Sequence, residues 1–279
     1  MMLGMNTNPT SLLTQRYLNK TNNALQGNIA RLSSGYRINS AADDAAGLAV
    51  SESMKSGIRS LGQASRNASD AISMVQTAEG SLGQVHDILG RMRELSVQAN
   101  SDGINDEQRA HINTEFQALS AEIGDISSKT KFNGRSLLDG TLNASFQVGI
   151  ESSNTLNVAV GQSFATADLK DATGTNSLAA ANLSTTAGAA SAMDILDNAI
   201  SLVSGTRASM GASQNRLESK IENLAVYREN LEAANSRIRD VDVASEMAEM
   251  TKNQILLQAG ASMLAQANSL PQLLLSLLK

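Results

Sequence analysis

Residues 60–93 read SLGQASRNASDAISMVQTAEGSLGQVHDILGRMR, and the spacing of their apolar positions decides the fold. Leu61, Ala68, Val75, Leu82 and Leu89 recur every seven residues, and Ala64, Ala71, Ala78, Val85 and Met92 repeat at the partner position. An apolar pair sustained through successive heptads is the seam of a long bundle or coiled-coil helix. No proline lies anywhere between Pro9 and Pro271, so ring chemistry breaks no helix in between. The pattern extends back to Asp43 or Asp44 and forward to about Asn100.

Other segments carry the same kind of repeat. In residues 10–36, Leu18, Leu25, Ile29 and Leu32 form an a/d seam. A short turn at Ser101, Asp102 and Gly103 predicts an antiparallel partner helix from Asn105 or Asp106, with Ile112, Phe116, Leu119, Ile123 and Ile126 on its apolar face. Leu196, Val203, Met210, Leu217, Leu224, Leu231 and Ile238 then repeat every seven residues. Val243, Met250, Leu257 and Leu264 continue that spacing and end near Pro271.

The middle of the chain differs. Asn133-Gly134 and Asp139-Gly140 are turn signals. Residues 145–150 and 155–160 alternate as short strands around a hairpin loop at 152–154. Residues 165–192 are mostly Ala, Thr, Ser, Gly and Asn, which predicts a loosely ordered tip.

The fold class that follows is mainly α: a long rod of antiparallel coiled-coil or bundle helices with a small β-hairpin region and paired N- and C-terminal helices. A helix over residues 193–268 would be about 110 Å long, whereas a compact globule of this size has a radius of gyration near ~19 Å. The expected divisions are 1–42, an N-terminal helix and connector; 43–140, the first part of the helical rod; 141–192, hairpin and tip; 193–239, the returning part of the rod; and 240–279, the C-terminal helix.

Composition excludes several functions. The chain of 279 residues has no cysteine, no Trp and only 3% aromatic residues, so thiolate nucleophiles and Cys-based zinc sites are ruled out. A net charge of −5 argues against nucleic-acid binding, which needs a basic face. The apolar stretch 270–278 is too short to span a bilayer, and the start MMLGMNTNPT has neither a basic region nor an apolar core of a cleaved leader. His86 and His111 stand far apart with no ligand spacing, and no phosphate loop or catalytic triad is readable. The reading is therefore of no enzyme, cofactor or metal site. Asp43 and Asp44 suit a helix start, one as cap and the other acting on the dipole.

Four strings carry a family resemblance: LSSGYRINSAADDAAGLAVSE at 32–52, RMRELSVQAN at 91–100, TKFNGRSLLDG at 130–140, and SRIRDVDVASEMAEMTKNQILLQAGASMLAQAN at 236–268. With them the sequence closely resembles bacterial flagellin. The resemblance implies an extracellular structural subunit that polymerises with itself into the flagellar filament used for swimming. The inner tubes of that filament come from the paired terminal helices. Implied partners are a flagellar export chaperone, the type III export apparatus, and the hook-associated and cap proteins. Assembly contacts fall on Leu18, Leu25, Ile29, Leu32, Met250, Leu257 and Leu264, and at the connector on Arg37, Asn39, Asp43 and Asp44. The segment RMRELSVQ looks like the part of flagellin bound by the flagellin-sensing Toll-like receptor, whose contacts would map onto Arg91, Leu95, Gln98 and Glu115, with Leu95 beside the seam rather than on it. Two rival readings are a hook–filament junction protein, which shares the terminal helices but has a larger middle, and a coiled-coil signalling rod, which would need a membrane tether.

Overall fold

The computed structural model describes residues 8–277, with side chains through Ser269. Residues 1–7, where the sequence reading expects no cleaved leader, and residues 278–279 at the C-terminus lie outside the described residues. Among the described residues there are five long helices and two small antiparallel sheets: α1 (Pro9–Ser34), α2 (Ala45–Ala99), α3 (Asp106–Lys129), β1 (Lys131–Phe132), β2 (Arg135–Ser136), β3 (Leu142–Gln147), β4 (Thr155–Val160), α4 (Thr186–Arg239) and α5 (Val243–Leu277). They fall into two compact units, Met1–Ile58 with Glu229–Lys279, and Arg59–Arg228.

The unit 59–228 holds the main core. Every seam residue of α2 from Leu61 to Met92 is buried, and so are Leu196, Val203, Met210, Leu217 and Leu224 of α4. From α3, Phe116 and Ile123 are fully buried, with Ile112, Leu119 and Ile126 packed against the same cluster. Helix α3 opens on a capping box: the Asn105 side-chain oxygen Oδ1 accepts from the Gln108 N–H at 2.8 Å, and the Gln108 side chain accepts from the Asn105 N–H. Arg109, only 7% exposed, closes the turn behind it by donating to the carbonyls of Ala99 and Ser101 at the end of α2. That side chain captures orphan carbonyls at the C-terminus of a helix, where a positive charge also suits the dipole.

Strands β1 and β2 flank Asn133-Gly134, whose φ angles of 48° and 80° match the two-residue hairpin turn that Asn-Gly favours. The second hairpin corrects the sequence reading. β4 occupies 155–160 as expected, but β3 runs over Leu142–Gln147 rather than 145–150, with Leu142 opposite Val160 and Gln147 opposite Thr155. Leu142 and Ala144 set this register by turning into the core beside Val158 and Val160. Beyond the strand ends the Val148 N–H still donates to the Asn154 carbonyl at 3.0 Å, and the Gln147 side-chain amide donates to the carbonyls of Gly149 and Glu151.

Residues 165–192 are not a loose tip. Leu169, Leu178 and Leu183 are fully buried in the main cluster, and Phe164 beside them is too. The backbone is tied by Leu178 N–H to Leu169 C=O at 2.8 Å and by Leu183 N–H to the Asn113 side chain at 2.9 Å. Three leucines, spaced too irregularly to show a period, anchor a segment whose remaining composition is small and polar. Helix α4 also starts earlier than residue 193: Thr185 Oγ1 accepts from the Gly188 N–H, and Ala189 and Ala192 are buried in its first turns. Alanine is a strong helix former, so the same small residues that suggest low complexity serve as helix.

In the other unit, α1 begins at Asn8, whose side-chain oxygen caps the Ser11 N–H, with Pro9 in the first turn. It ends at Gly35, φ 75°, a left-handed position open to glycine. α4 and α5 are separated by Asp240 to Asp242, and Asp242 accepts from the N–H groups of Ala244 and Ser245 at the start of α5. α5 does not stop at Pro271 but continues to Leu277. A proline in a helix leaves the carbonyl four residues earlier without its donor. Here that carbonyl belongs to Ala267, and Asn8 Nδ2 donates to it at 2.7 Å.

Candidate assembly surface

Helices α1 and α5 pack along their length as an antiparallel pair. The contacts run in order from Asn8 with Ala267, through Leu18 with Gly260 and Asn28 with Asn253, to Gly35 with Val241. Half-buried or buried positions recur at three and four residues on both helices: Ser11, Thr14, Leu18, Thr21, Leu25, Asn28 and Leu32 on α1, and Glu246, Met250, Asn253, Leu257, Gly260, Leu264 and Ala267 on α5. Leu18, Leu25, Leu32, Met250, Leu257 and Leu264 thus meet one another within the chain.

Ile29 does not belong to that seam. It is 51% exposed, and its place is taken by Asn28 at 1%. The spacing from Leu25 to Leu32 admits either residue, and apolarity alone selects the wrong one. Val243 is likewise off the seam, at 58% exposed, because the first turn of α5 presents Glu246 instead.

The pair leaves much apolar surface open. Leu12, Leu13, Tyr17 and Ile29 are exposed on α1, and Met247, Ile255, Leu256 and Met263 on α5. Apart from Ile29, the a/d reading missed these. The available signal was the width of the apolar face: Ile255, Leu256 and Leu257 are three consecutive apolar residues, more than one seam can hold.

The connector residues act inside the chain. Arg37 Nη2 donates to Ile238 C=O and its backbone N–H to Arg239 C=O, both at 2.7 Å. Asn39 Nδ2 reaches the carbonyls of Ala30 and Tyr36 at 3.4 Å. Asp44 caps α2 by accepting from the Gly47 N–H at 2.9 Å. Asp43 takes neither of the two roles expected of the pair: it accepts from the N–H groups of Ser40 and Asn39 and from the Ser40 hydroxyl. Those bonds, the Ser40 N–H foremost, hold its carboxyl below the usual carboxylate range. Arg239 stacks over Tyr36 at 4.5 Å and bridges to Glu52 at 2.8 Å, while buried Ser51 bonds Asn235 at 2.7 Å.

On the other unit, Arg91 binds Glu115 across α2 and α3 at 2.9 Å and Glu94 one turn on at 3.1 Å; Gln98 extends this exposed stripe. Leu95 is not part of it. At 2% exposure it lies inside the cluster with Met92 and Phe116, because α3 folds back over that side of α2. His111 is exposed and His86 half-buried, and among the described residues no three His, Asp or Glu gather as metal ligands.

Comparison with known proteins bears on this arrangement directly. The family described as the bacterial flagellin N-terminal helical region matches residues 5–143, and the bacterial flagellin C-terminal helical region matches 193–278. The chain belongs to the bacterial flagellin family. It is 46% identical to the flagellin of Bacillus subtilis (strain 168) over 304 aligned residues, which cover 99% of each chain. It is 44% identical to the flagellar filament 33 kDa core protein of Treponema phagedenis over 286, again 99% of each. A solved structure of a flagellar hook-associated protein from Vibrio parahaemolyticus aligns at a TM-score of 0.62 over 71% of this chain and 100% of that one; at 15% identity it shares the fold alone. As a flagellin, the chain is a structural subunit that polymerises with its own copies into the filament of flagellar motility, and is not an enzyme. Among the described residues, no helix is long and apolar enough to cross a membrane.

Proposed function

We propose that the α1–α5 pair is the surface through which copies of this flagellin bury against one another. One contrast carries the reading. The seam of the unit 59–228 is closed, with Leu82, Leu89, Val203 and Leu217 fully buried, whereas α1 and α5 keep large apolar side chains in water, Leu12 and Met263 at 62%. Each such side chain gains roughly 1.5–3 kcal/mol on full burial, and a pair of helices has no third partner to supply it. In this reading Leu18, Leu25, Leu32, Met250, Leu257 and Leu264 hold the pair together. Ile29 and the other exposed apolar residues meet neighbouring copies, and Arg37, Asn39, Asp43 and Asp44 brace the connector that presents them. Chains cut before about Ser33 or after about Asp240 are the test. Each stays soluble and fails to sediment under polymerising conditions; normal filaments from either would overturn the proposal.

The exposed apolar face of α5 also supports a role for an export chaperone that covers it before passage through the type III apparatus, and for hook-associated and cap proteins that meet it at the ends of the filament. The exposed Arg91, Gln98 and Glu115 are proposed as contacts for the flagellin-sensing Toll-like receptor, without Leu95. Arg91→Ala then lowers signalling by monomer in a receptor-reporter assay by at least tenfold, about the 1.4 kcal/mol or more expected of an interface arginine. Equal signalling by the variant removes the stripe from the receptor surface.

A further inference from the structure

The apolar seam between α1 and α5 does not specify its own register. Leu18, Leu25 and Leu32 recur every seven residues on one helix, and Met250, Leu257 and Leu264 recur every seven on the other. Sliding α5 by seven residues sets leucine against leucine or methionine again. It would also carry Met247, Leu256 and Met263 about 10.5 Å along α1, at roughly 1.5 Å per residue. A polymer of identical copies needs each copy to present the same surface.

One polar set interrupts the repeat. Asn28, 1% exposed, donates from Nδ2 to Glu246 Oε1 at 2.5 Å and accepts at Oδ1 from Asn253 Nδ2 at 2.8 Å. Arg31 Nε donates to the same Glu246 oxygen at 2.8 Å, and the Glu246 side chain is only 12% exposed. The chemistry is directional. A carboxylate only accepts, so Asn28 must turn its amide nitrogen to Glu246 and its oxygen to Asn253. Glu246 and Asn253 are themselves one heptad apart, so Asn28 fits between them in a single register. A slip one way puts Thr21 and Ala24 where Asn28 and Arg31 stand, so Glu246 loses the guanidinium and Asn253 its amide acceptor. A slip the other way brings Asn28 to Gly260 and takes the carboxylate from Arg31. Either slip breaks the Arg31–Glu246 pair and leaves a partly buried charge without its partner, which a low-dielectric setting penalises.

The geometry points to Asn28, Arg31, Glu246 and Asn253 as the register key of the terminal helix pair. They are positioning residues that align the outward apolar side chains for neighbouring copies, and the inference rests on the α1–α5 pair being the assembly surface. Polar residues at single seam positions are known to set register at a cost in stability. The other hydrogen bonds across the pair, Asn8 to Ala267, Ser11 to Asn268 and Val241 to Gly35, sit at its ends.

The chain has no cysteine, so engineered pairs report register without background. Leu18→Cys with Gly260→Cys reads the native register, since a side chain added at Gly260 meets Leu18 at 3.3 Å. Leu18→Cys with Ala267→Cys, and Ser11→Cys with Gly260→Cys, read the two seven-residue slips. Full-length chains are oxidised both in dilute solution and as sedimented material, and the crosslinks within single chains are mapped by peptide mass spectrometry. With the key intact, the native pair closes at least about tenfold more than either slipped pair in the state where the helices associate. With Asn28→Leu and Asn253→Leu, which continue the apolar seam, a slipped pair closes within about threefold of the native one. Circular dichroism confirms that the variant pair stays helical. Exclusive native closure in that variant overturns the inference, as does equal closure of native and slipped pairs with the key intact in both states. Because crosslinks are read inside one chain, register-specific closure without any sedimenting polymer would leave the key standing and remove the assembly reading.

Discussion

Asp43 and Asp44 are adjacent and chemically alike, yet they do different work. Asp44 caps α2, while Asp43 folds back to hold the turn at Asn39 and Ser40. Because the Ser40 and Asn39 bonds favour the ionised form, the Asp43 carboxyl titrates below the usual carboxylate range. The sign follows: the turn is fully stabilised above the ordinary carboxylate pKa and loses that contribution as pH falls through the lower folded value. Hydrogen exchange at the Ser40 and Asn39 amides should therefore accelerate on acidification, and Asp43→Asn should show the fast rate already at neutral pH. Unchanged protection in the variant would mean that the turn holds itself. Leu95 makes the same point from the other side. Its neighbours Arg91 and Gln98 are on the surface, and one residue type in the same short motif is drawn inward by Phe116 from another helix.

At the level of the element, α4 tests the heptad reading. Leu217 is fully buried in the cluster shared with α2 and α3, whereas Arg207, at the partner position, is 38% exposed and reaches Glu79 at 3.7 Å. Leu217→Asp places an unpaired charge in the seam and should destabilise the folded chain by about 3–5 kcal/mol. Arg207→Ala removes a half-buried, loosely paired side chain and should cost only about 1 kcal/mol. Urea titrations of the two variants measure the difference, and equal midpoint shifts would show that the seam is misassigned. The hairpin β3–β4 illustrates how weakly a short strand declares itself. Both 142–147 and 145–150 alternate, and pairing with Val158 and Val160 decides between them.

For the whole molecule, the distinction that matters is between apolar residues satisfied inside one chain and those that wait for another. Ile29 is 51% exposed, whereas Leu25, one turn away, faces α5. Ile29→Ser should leave the stability of the monomer within about 0.5 kcal/mol, as for a surface change. It should nevertheless raise the concentration at which polymer first sediments. Leu25→Ser should weaken the helix pair itself, seen as lost helicity of the monomer or of the polymer. Polymerisation of Ile29→Ser at the wild-type threshold would place that face outside the copy–copy contact.

The helices and the seams of α2 and α4 were legible in the sequence, because a period of seven is written locally and needs no knowledge of the partner. The sequence also determined the family, through strings too long and specific to arise by chance. Packing settled what the period could not: Asn28 and not Ile29 faces α5, Leu95 lies within the core, and 165–192 is anchored by three leucines. It also decided that α5 runs past Pro271 with Asn8 meeting the orphaned carbonyl of Ala267. The reason is common to all four. Burial and hydrogen bonding depend on what a distant part of the chain brings alongside, and a polar residue becomes a good seam residue only when its partner, here Glu246 or Asn253, is already in place.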